Sequence, residues 1–482
     1  MESQVPPTYT LDEALCTVGF GRFQGLALLY AGLGWIAESM EIMLLSFIGS
    51  AVKSEWNLSS DQESLITSIV FSGMLIGAYS WGLISDNFGR KKAFLGICTV
   101  TAVAGSLSSL SQNYVSLIVV RWLVGIGLGG GHLFTTWFLE FVPTPNRGTW
   151  MVVFSAFWTV GTIFEAGLAW IIMPRLGWRW LLAVSSIPAF LLLAFFVLVH
   201  ETPRFLIMKG RIGEAQVILE KIAQFNKSSL PPGQLVPDLP EDQDKELSFS
   251  SDTHLEPKRK KMISLRKCLL PKYVLVSPKY IRTTILLWFL YFGNTFVYYG
   301  VVLLTSKLSS GQNQCRGDVI SHSGTSEDSK LYINVFVTSL AEFPGLVISA
   351  IILDRLGRKY SMQIMLAFGF GLLLPLAWQL SQGLTTGLLF GARMFVSATF
   401  TCACIYAPEV YPTIVRSSGV GVATAIGRIG GIVCPMVAVT LVNNCHQTAA
   451  ILLFEAAIVL LGICVVLLPF ETMGKGLIDV AK

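Results

Sequence analysis

Asp86-Asn87-Phe88-Gly89-Arg90-Lys91 and Asp354-Arg355-Leu356-Gly357-Arg358-Lys359 are two copies of one pattern, 268 positions apart. The surroundings repeat with them. Arg121 is echoed by Arg393, 272 positions later, and Glu140 with Arg147 by Glu409 with Arg416, 269 later. Glu201-Thr202 returns as Glu471-Thr472, 270 later. Four echoes at nearly one offset mark an internal duplication, the first feature to settle in a long chain. The protein is two related halves joined by the stretch between them.

Away from these loops the sequence is apolar. Of its 482 residues 53% are hydrophobic and only 13% charged, against roughly 25% charged in ordinary globular proteins. So few charges cannot cover a water-exposed surface, which excludes a soluble enzyme, a nucleic-acid binder and a secreted disulfide scaffold. Blocks such as Leu181–Val199, Ile285–Leu304 and Ala449–Pro469 each approach the about 20 helical residues that cross a ~30 Å hydrocarbon core. Hydropathy gives twelve spans, at 23–50, 65–85, 93–111, 115–138, 150–172, 178–200, 283–305, 331–353, 361–380, 385–406, 417–441 and 447–469. The fold class is therefore an all-α polytopic membrane protein, with twelve transmembrane helices in two pseudo-symmetric six-helix bundles. Residues 1–200 form an N-terminal cytosolic helix and the first bundle, 201–282 a cytosolic connection, and 283–482 the second bundle.

With the N-terminus in the cytosol, 26 of the 35 Lys and Arg fall on the cytosolic side and six on the other. That bias sets the orientation, and an even number of spans returns the C-terminus to the cytosol. The first 22 residues lack the basic start and short apolar run of a cleavable signal; Thr10 before Asp12 and Glu13 predicts a capped helix start. In the connection, Ile212, Ala215, Ile218, Leu219 and Ile222 have helical spacing and predict an amphipathic helix. Residues 226–261 are polar, too poor in apolar groups to bury a core, and end in the basic run Lys258–Lys261, a solvated linker with a charge suited to anionic lipid.

Of nine cysteines, only Cys315 and Cys445 face the oxidising side, where a bridge between them could persist; two free thiols are the competing reading. No Cys/His spacing suits a metal. Asn57-Leu58-Ser59 carries the N-glycosylation pattern in the first outside loop. Gly125-Ile126-Gly127-Leu128-Gly129-Gly130-Gly131 has no preceding strand and lies within a span, where small residues serve close helix packing, and no phosphate-binding Gly-x-x-x-x-Gly-Lys-Ser/Thr is present.

Eight ionisable residues interrupt the spans: Glu38, Glu41, Glu165, Glu342, Glu455, Arg121, Arg393 and Arg428. A charge at the bilayer centre costs ~2.5–3.5 kcal/mol on insertion, so each should face protein or a wet cavity and find a partner. Tyr30, Gly34, Glu38 and Glu41 share one face of span 1. Two carboxylates that close in low dielectric cannot both ionise easily and would titrate as a unit. Arg428, flanked by Gly427, Gly430 and Gly431, presents a planar fork suited to a carboxylate. Tyr291, Asn294 and Tyr298 on span 7, with Trp158, Thr162 and Glu165 on span 5, would complete an aromatic-lined polar pocket. The plainer reading makes the aromatics packing groups and has Glu165, Glu342 or Glu455 neutralise Arg428.

Asp86-x-x-Gly89-Arg90-Lys91 with its second copy, Arg121-x-x-x-Gly125-x-Gly127, the two Glu…Arg loops and Glu201-Thr202-Pro203-Arg204 resemble the major facilitator superfamily, in its sugar-porter-like branch, over nearly the whole chain. Thr10-Leu11-Asp12-Glu13-Ala14, Gly19-Phe20-Gly21-Arg22-Phe23-Gln24 and Trp288-Phe289 through Tyr298-Tyr299-Gly300 are similar to metabolite–proton symporters related to synaptic vesicle protein two, and among them to the plant nicotinate transporters also labelled organic cation/carnitine transporters.

The resemblance implies a monomeric, proton-coupled carrier working by alternating access, not an enzyme, with the proton as coupling ion and no other cofactor. It implies a small-molecule substrate, a lipid bilayer around the chain and no nucleic-acid partner. By the pattern of such symporters, Glu38 or Glu41 would pair with Arg121 and carry the proton; a permanent structural ion pair is the competing reading. Arg428, Tyr291, Asn294, Tyr298, Trp158 and Glu165 would bind substrate, with nicotinate or a similar aromatic monocarboxylate expected. A quaternary ammonium such as carnitine, attracted by the aromatics and Glu165, is the rival, and a non-transporting receptor a more distant one. Asp86, Arg90, Glu140, Arg147, Asp354, Arg358, Glu409 and Arg416 would form a cytosolic gate that breaks as the bundles rock. The plasma membrane is the expected location, the vacuolar membrane its alternative.

Overall fold

The computed structural model describes residues 7–143, 147–236, 277, 280–311, 333–378, 380–411, 413–442, 444 and 446–472. Cys315, Cys445 and most of the polar connection lie outside the described residues. So do the side chains of Asp86, Arg147, Asp354 and Arg416.

Among the described residues eleven helices are long and apolar enough to cross a membrane. In chain order they are span 1 (Arg22–Trp56), span 2 (Ser60–Ser85), span 3 (Arg90–Ser109), span 4 (Tyr114–Leu139), span 5 (Thr149–Leu176), span 7 (Ile281–Leu308), span 8 (Ile333–Leu353), span 9 (Arg358–Ala377), span 10 (Gln382–Ala407), span 11 (Gly419–Leu441) and span 12 (Gln447–Leu467). Span 6 is the shorter apolar segment Trp178–Ala194. It falls short because the helix ends at Ala194, before the 3-10 turn Phe196–Leu198, and it is split at Ser186, where Pro188 has no N–H to continue the ladder. Twelve helical passages in two sets of six result, with large exposed apolar side chains on their outer faces, as a multi-pass membrane protein requires.

The breaks between spans follow from local chemistry. Gly89 (φ +100°) ends span 2 and starts span 3, and Gly357 (φ +82°) does the same between spans 8 and 9. An L side chain in that left-handed region is strained, so the repeated glycine is a requirement of the repeated turn. Ser59 and Gln62 form a capping box at the start of span 2, and Asn57 adopts φ 51° just before it. The glycines of span 4 do serve packing. A Cβ on Gly125 or Gly129 would strike the span 2 backbone, and one on Gly131 the Glu38 carboxylate.

At the end bearing the repeated loops (the motif end), the helix Leu11–Val18 starts with a Thr10/Glu13 capping box. The amphipathic helix Ile212–Asn226 buries Ala215, Leu219, Ile222 and Ala223. Its Asn226 accepts the Phe23 N–H at 2.9 Å and donates to Gln24 at 2.8 Å, tying it to span 1. A parallel pair of two-residue strands, β1 (Thr8–Tyr9) and β2 (Gln234–Leu235), joins the chain's beginning to the connection.

Candidate functional site

The repeated loops build the same cluster in each half. Arg90 pairs with Glu140 at 3.1 Å, and Arg358 with Glu409 at 3.0 Å. The turn at each glycine leaves the first N–H groups of a new helix free. Glu201 accepts those of Arg90 and Lys91, and Glu471 those of Arg358 and Lys359. A carboxylate at a helix N-terminus is favoured by both hydrogen bonding and the helix dipole, which explains why Glu201 and Glu471 repeat with the loops. Each described bridge joins adjacent loops of one half.

The buried charges lie between and within the bundles. In the first, Arg121 and Glu41 form an ion pair at 2.8 Å, both almost fully buried. Glu165 is buried beside this pair and accepts from Ser185 at 2.9 Å. Arg121 Nε and Nη2 and Glu41 Oε1 have no hydrogen-bond partner. In the second, Arg393 pairs with Glu342 at 2.7 Å, equally buried.

Two chains of contacts then cross from one bundle to the other and meet on adjacent residues of span 7. Arg428 of span 11 donates to Glu38 of span 1 at 3.0 Å and to Tyr299 at 3.2 Å. Trp158 of span 5 donates to the Tyr298 hydroxyl at 3.0 Å, and Tyr298 donates to Glu342 at 2.8 Å. Thr162 also donates to Glu342, at 3.2 Å. A cationic fork, two carboxylates, two phenols and an indole thus line the seam between the halves. Such groups can orient a small polar ligand.

The end opposite the motif loops is also bridged. Glu63 at the start of span 2 is ion-paired with Lys307 at the end of span 7 and with Lys53 of span 1 at 3.1 Å. The first of these joins the two bundles.

Several predicted site residues are placed otherwise than expected. Glu41 takes Arg121, while Glu38 reaches across to Arg428, so the two carboxylates serve different cations. Glu165 faces the interior of the first bundle and does not join Trp158. Asn294 donates to its own helix at Leu290, and Tyr291 sits against Cys404 and Tyr411. The seam includes Tyr299, expected from the sequence only as an aromatic for a quaternary ammonium, and Glu342, which was not assigned to a site from the sequence. Glu342 carried a signal, being an acid within a span. Glu63 and Lys307 carried less, since the hydropathy limits put both just outside the membrane.

The sugar (and other) transporter family matches residues 37–482. The chain is 55% identical to a protein of Arabidopsis thaliana, Organic cation/carnitine transporter 7, over 98% of this chain and 96% of that one. It is 35% identical to the Synaptic vesicle 2-related protein of Xenopus laevis, covering 98% and 82%. Among solved structures it superposes on the E. coli xylose transporter in a partially occluded inward-open conformation with a TM-score of 0.70, at 17% identity, covering 93% of this chain and 100% of that one. On a proton:xylose symporter bound to 6-bromo-6-deoxy-D-glucose the TM-score is 0.69, at 18% identity, covering 94% and 98%. The duplicated bundles, the braced loops and these likenesses agree: the chain is a membrane transporter, not an enzyme, and belongs to the sugar (and other) transporter family of the major facilitator superfamily.

Proposed function

We propose that the protein is a proton-coupled carrier of a small organic carboxylate, with nicotinate or a similar aromatic monocarboxylate as substrate and Arg428 as its anchor. The observation that carries this reading is the contact of Arg428 with Glu38 and Tyr299 across the seam. A substrate carboxylate that takes the guanidinium leaves Glu38 in low dielectric without its cation. The cheapest outcome there is for Glu38 to accept a proton. Proton and substrate then enter together, and breaking the Arg428–Glu38 bridge frees the bundles to rock. Arg121, Glu41 and Glu165 form a second reservoir: one cation between two carboxylates, with donors and an acceptor still unused. In this reading the motif end is cytosolic, both termini lie in the cytosol, the carrier works as a monomer, and it resides in the plasma membrane.

A second reading has its own observation. Trp158, Tyr298 and Glu342 set two aromatics beside an acid, the residue types a quaternary ammonium would use, and the Arabidopsis relative bears the name of an organic cation/carnitine transporter. Carnitine, a zwitterion, could engage Arg428 with its carboxylate and this cluster with its cation.

Uptake of radiolabelled nicotinate into proteoliposomes under an imposed pH gradient tests both. Saturable uptake driven by outside acidity and resistant to carnitine supports the first reading. Competition by carnitine but not tetraethylammonium supports the zwitterion. No gradient-driven uptake of nicotinate or carnitine sinks both.

A further inference from the structure

A cavity of about 470 Å³ opens at the motif end of the first bundle and shares no residue with the seam. Its size falls within the about 300–1,000 Å³ of small-molecule sites. Span 1 supplies Phe23, Leu26, Ala27 and Tyr30, span 4 supplies Trp137, and the helix Ile212–Asn226 supplies Lys221, Gln224 and Phe225. Leu198 and His200, just after span 6, complete the wall.

The polar tips of the aromatics are already used. Tyr30 donates to the Leu192 carbonyl at 3.2 Å and Trp137 to the His200 carbonyl at 2.9 Å. Both rings are packed into the wall, Tyr30 against Phe94 and Trp137 against Phe94 and Phe141, so the wall is apolar. Around the mouth the surface is apolar and uncovered, with Val197 83% and Leu29 58% exposed. In a membrane protein such a surface meets hydrocarbon, so the cavity is continuous with the bilayer.

Its other rim is cationic. Lys221 lines it, and exposed Arg22 adjoins Phe23; His200 also lines it, with its Nδ1 2.9 Å from the Leu198 carbonyl. Lys91 lies over the Phe196 ring at 5.4 Å. Of the nearby acids, Glu201 is occupied by the start of span 3, and Glu220 accepts from Gln216 at 3.1 Å. An occupant therefore needs an apolar tail and an anionic head, in that order from membrane to water. A soluble anion would gain nothing from the aromatic walls, and a zwitterionic lipid less from the cations.

We propose that this cavity binds an anionic glycerophospholipid of the adjoining leaflet. An acyl chain lies between Leu26, Ala27, Trp137, Leu198 and Phe225, and the headgroup phosphate is held by Lys221. The site is independent of the transported substrate.

Trp137 stands behind the cavity wall and is 1% exposed, so a chain lodged in the cavity comes nearer to it than bulk lipid does, and brominated acyl chains quench tryptophan at short range. The full-length protein is placed in phosphatidylcholine nanodiscs doped with either brominated phosphatidylserine or brominated phosphatidylcholine. The serine lipid is expected to quench at about fivefold lower mole fraction, the attraction one basic residue contributes near an anionic headgroup. Trp137→Phe should abolish this selective part of the quenching. Lys221→Glu, an exposed change that leaves the reporter in place, should remove the preference without removing quenching. Equal quenching by the two lipids in the wild type, or an unchanged preference in Lys221→Glu, would overturn the proposal. So would displacement of the brominated serine lipid by glycerophosphoserine at equal concentration, since the tail would then have no part.

Discussion

In a Glu38→Gln protein, Arg428 keeps its bond to Tyr299 but faces a neutral amide where the carboxylate stood. The side chains are 13% and 5% exposed and 3.0 Å apart, so water screens the pair little. At that distance and an effective dielectric of about 20, Coulomb's law gives an attraction of about 5 kcal/mol. Desolvation of both ions offsets much of it, leaving a difference of about 1–3 kcal/mol, or about 5–150-fold in an equilibrium constant. In the wild type a substrate carboxylate must overcome this difference or arrive with a proton. In Glu38→Gln it need not.

The sign follows from which form binds. Protonated Glu38 releases Arg428, so wild-type affinity for nicotinate should be highest at low pH. It should fall as pH rises through the titration of Glu38, because the competing charge returns. Glu38→Gln should bind with the tighter affinity at every pH. Isothermal titration of purified protein at several pH values reads this directly. In proteoliposomes, one coupled proton across a gradient of one pH unit supports about tenfold accumulation, or ~1.4 kcal/mol. The variant should accumulate nothing, yet still exchange labelled for unlabelled substrate. Wild-type accumulation by Glu38→Gln, or a pH-dependent affinity that survives the substitution, would refute the coupling role given to Glu38.

The bridge at the far end makes a separate forecast. Glu63→Gln leaves Lys307 and Lys53 facing each other, which should open that end and speed labelling of a Ser68→Cys reporter by membrane-impermeant maleimide several-fold, in a background stripped of native cysteines; an unchanged rate would mean the bridge does not hold the end closed. Gly89→Ala and Gly357→Ala each force a Cβ into a left-handed turn at about 1–2 kcal/mol, and push it into Glu201 or Glu471 as well. Both should lower the melting temperature by similar amounts, and a neutral result at either would deny that the repeated turn needs glycine.

Much of the architecture was readable from periodic and repeated features. The offset between Asp86 and Asp354 announced the two halves, and hydropathy located the spans because the bilayer imposes one length on all of them. Only span 6, split at Ser186, falls short of that length. Partner choice was much less legible. Helical spacing tells which face a side chain occupies, but not which helix stands opposite. Glu38 and Glu41 share a face, yet three residues on a 3.6-residue turn leave them about 60° apart. That divergence is enough to send one into its own bundle toward Arg121 and the other across the seam to Arg428. Glu165 was misplaced for the same reason, since one face of span 5 serves both Trp158 at the seam and a carboxylate turned inward. The repeated loop charges were legible as a cluster, but not the folding back of Glu201 and Glu471 onto the helix starts.

The duplication also explains why span 7 holds the centre. Arg428 and Trp158 are 270 positions apart, the same offset as Glu471 and Glu201, so they are counterparts in the two halves. Each donates to one of two adjacent phenols, Trp158 to Tyr298 and Arg428 to Tyr299. Trp158 reaches its phenol across the seam while Arg428 reaches its own within the second half and crosses to Glu38 instead, so the counterpart positions now carry an aromatic donor on one side and a cationic donor on the other. A flat carboxylate lying between them would set its ring toward Trp158 and its charge toward Arg428. The adjacent tyrosines should therefore separate the two substrate readings. Tyr299→Phe removes a hydrogen bond to a charged group, worth about 1.5–3 kcal/mol, and leaves Arg428 to Glu38 alone, so nicotinate should bind differently while Glu342 is undisturbed. Tyr298→Phe strips Glu342 of a donor and Trp158 of its acceptor, so carnitine should be the ligand affected. Binding of both ligands to both variants gives a two-by-two comparison. A carboxylate carrier should respond chiefly to Tyr299→Phe and a zwitterion carrier to both changes, whereas indifference to both would remove span 7 from the binding site.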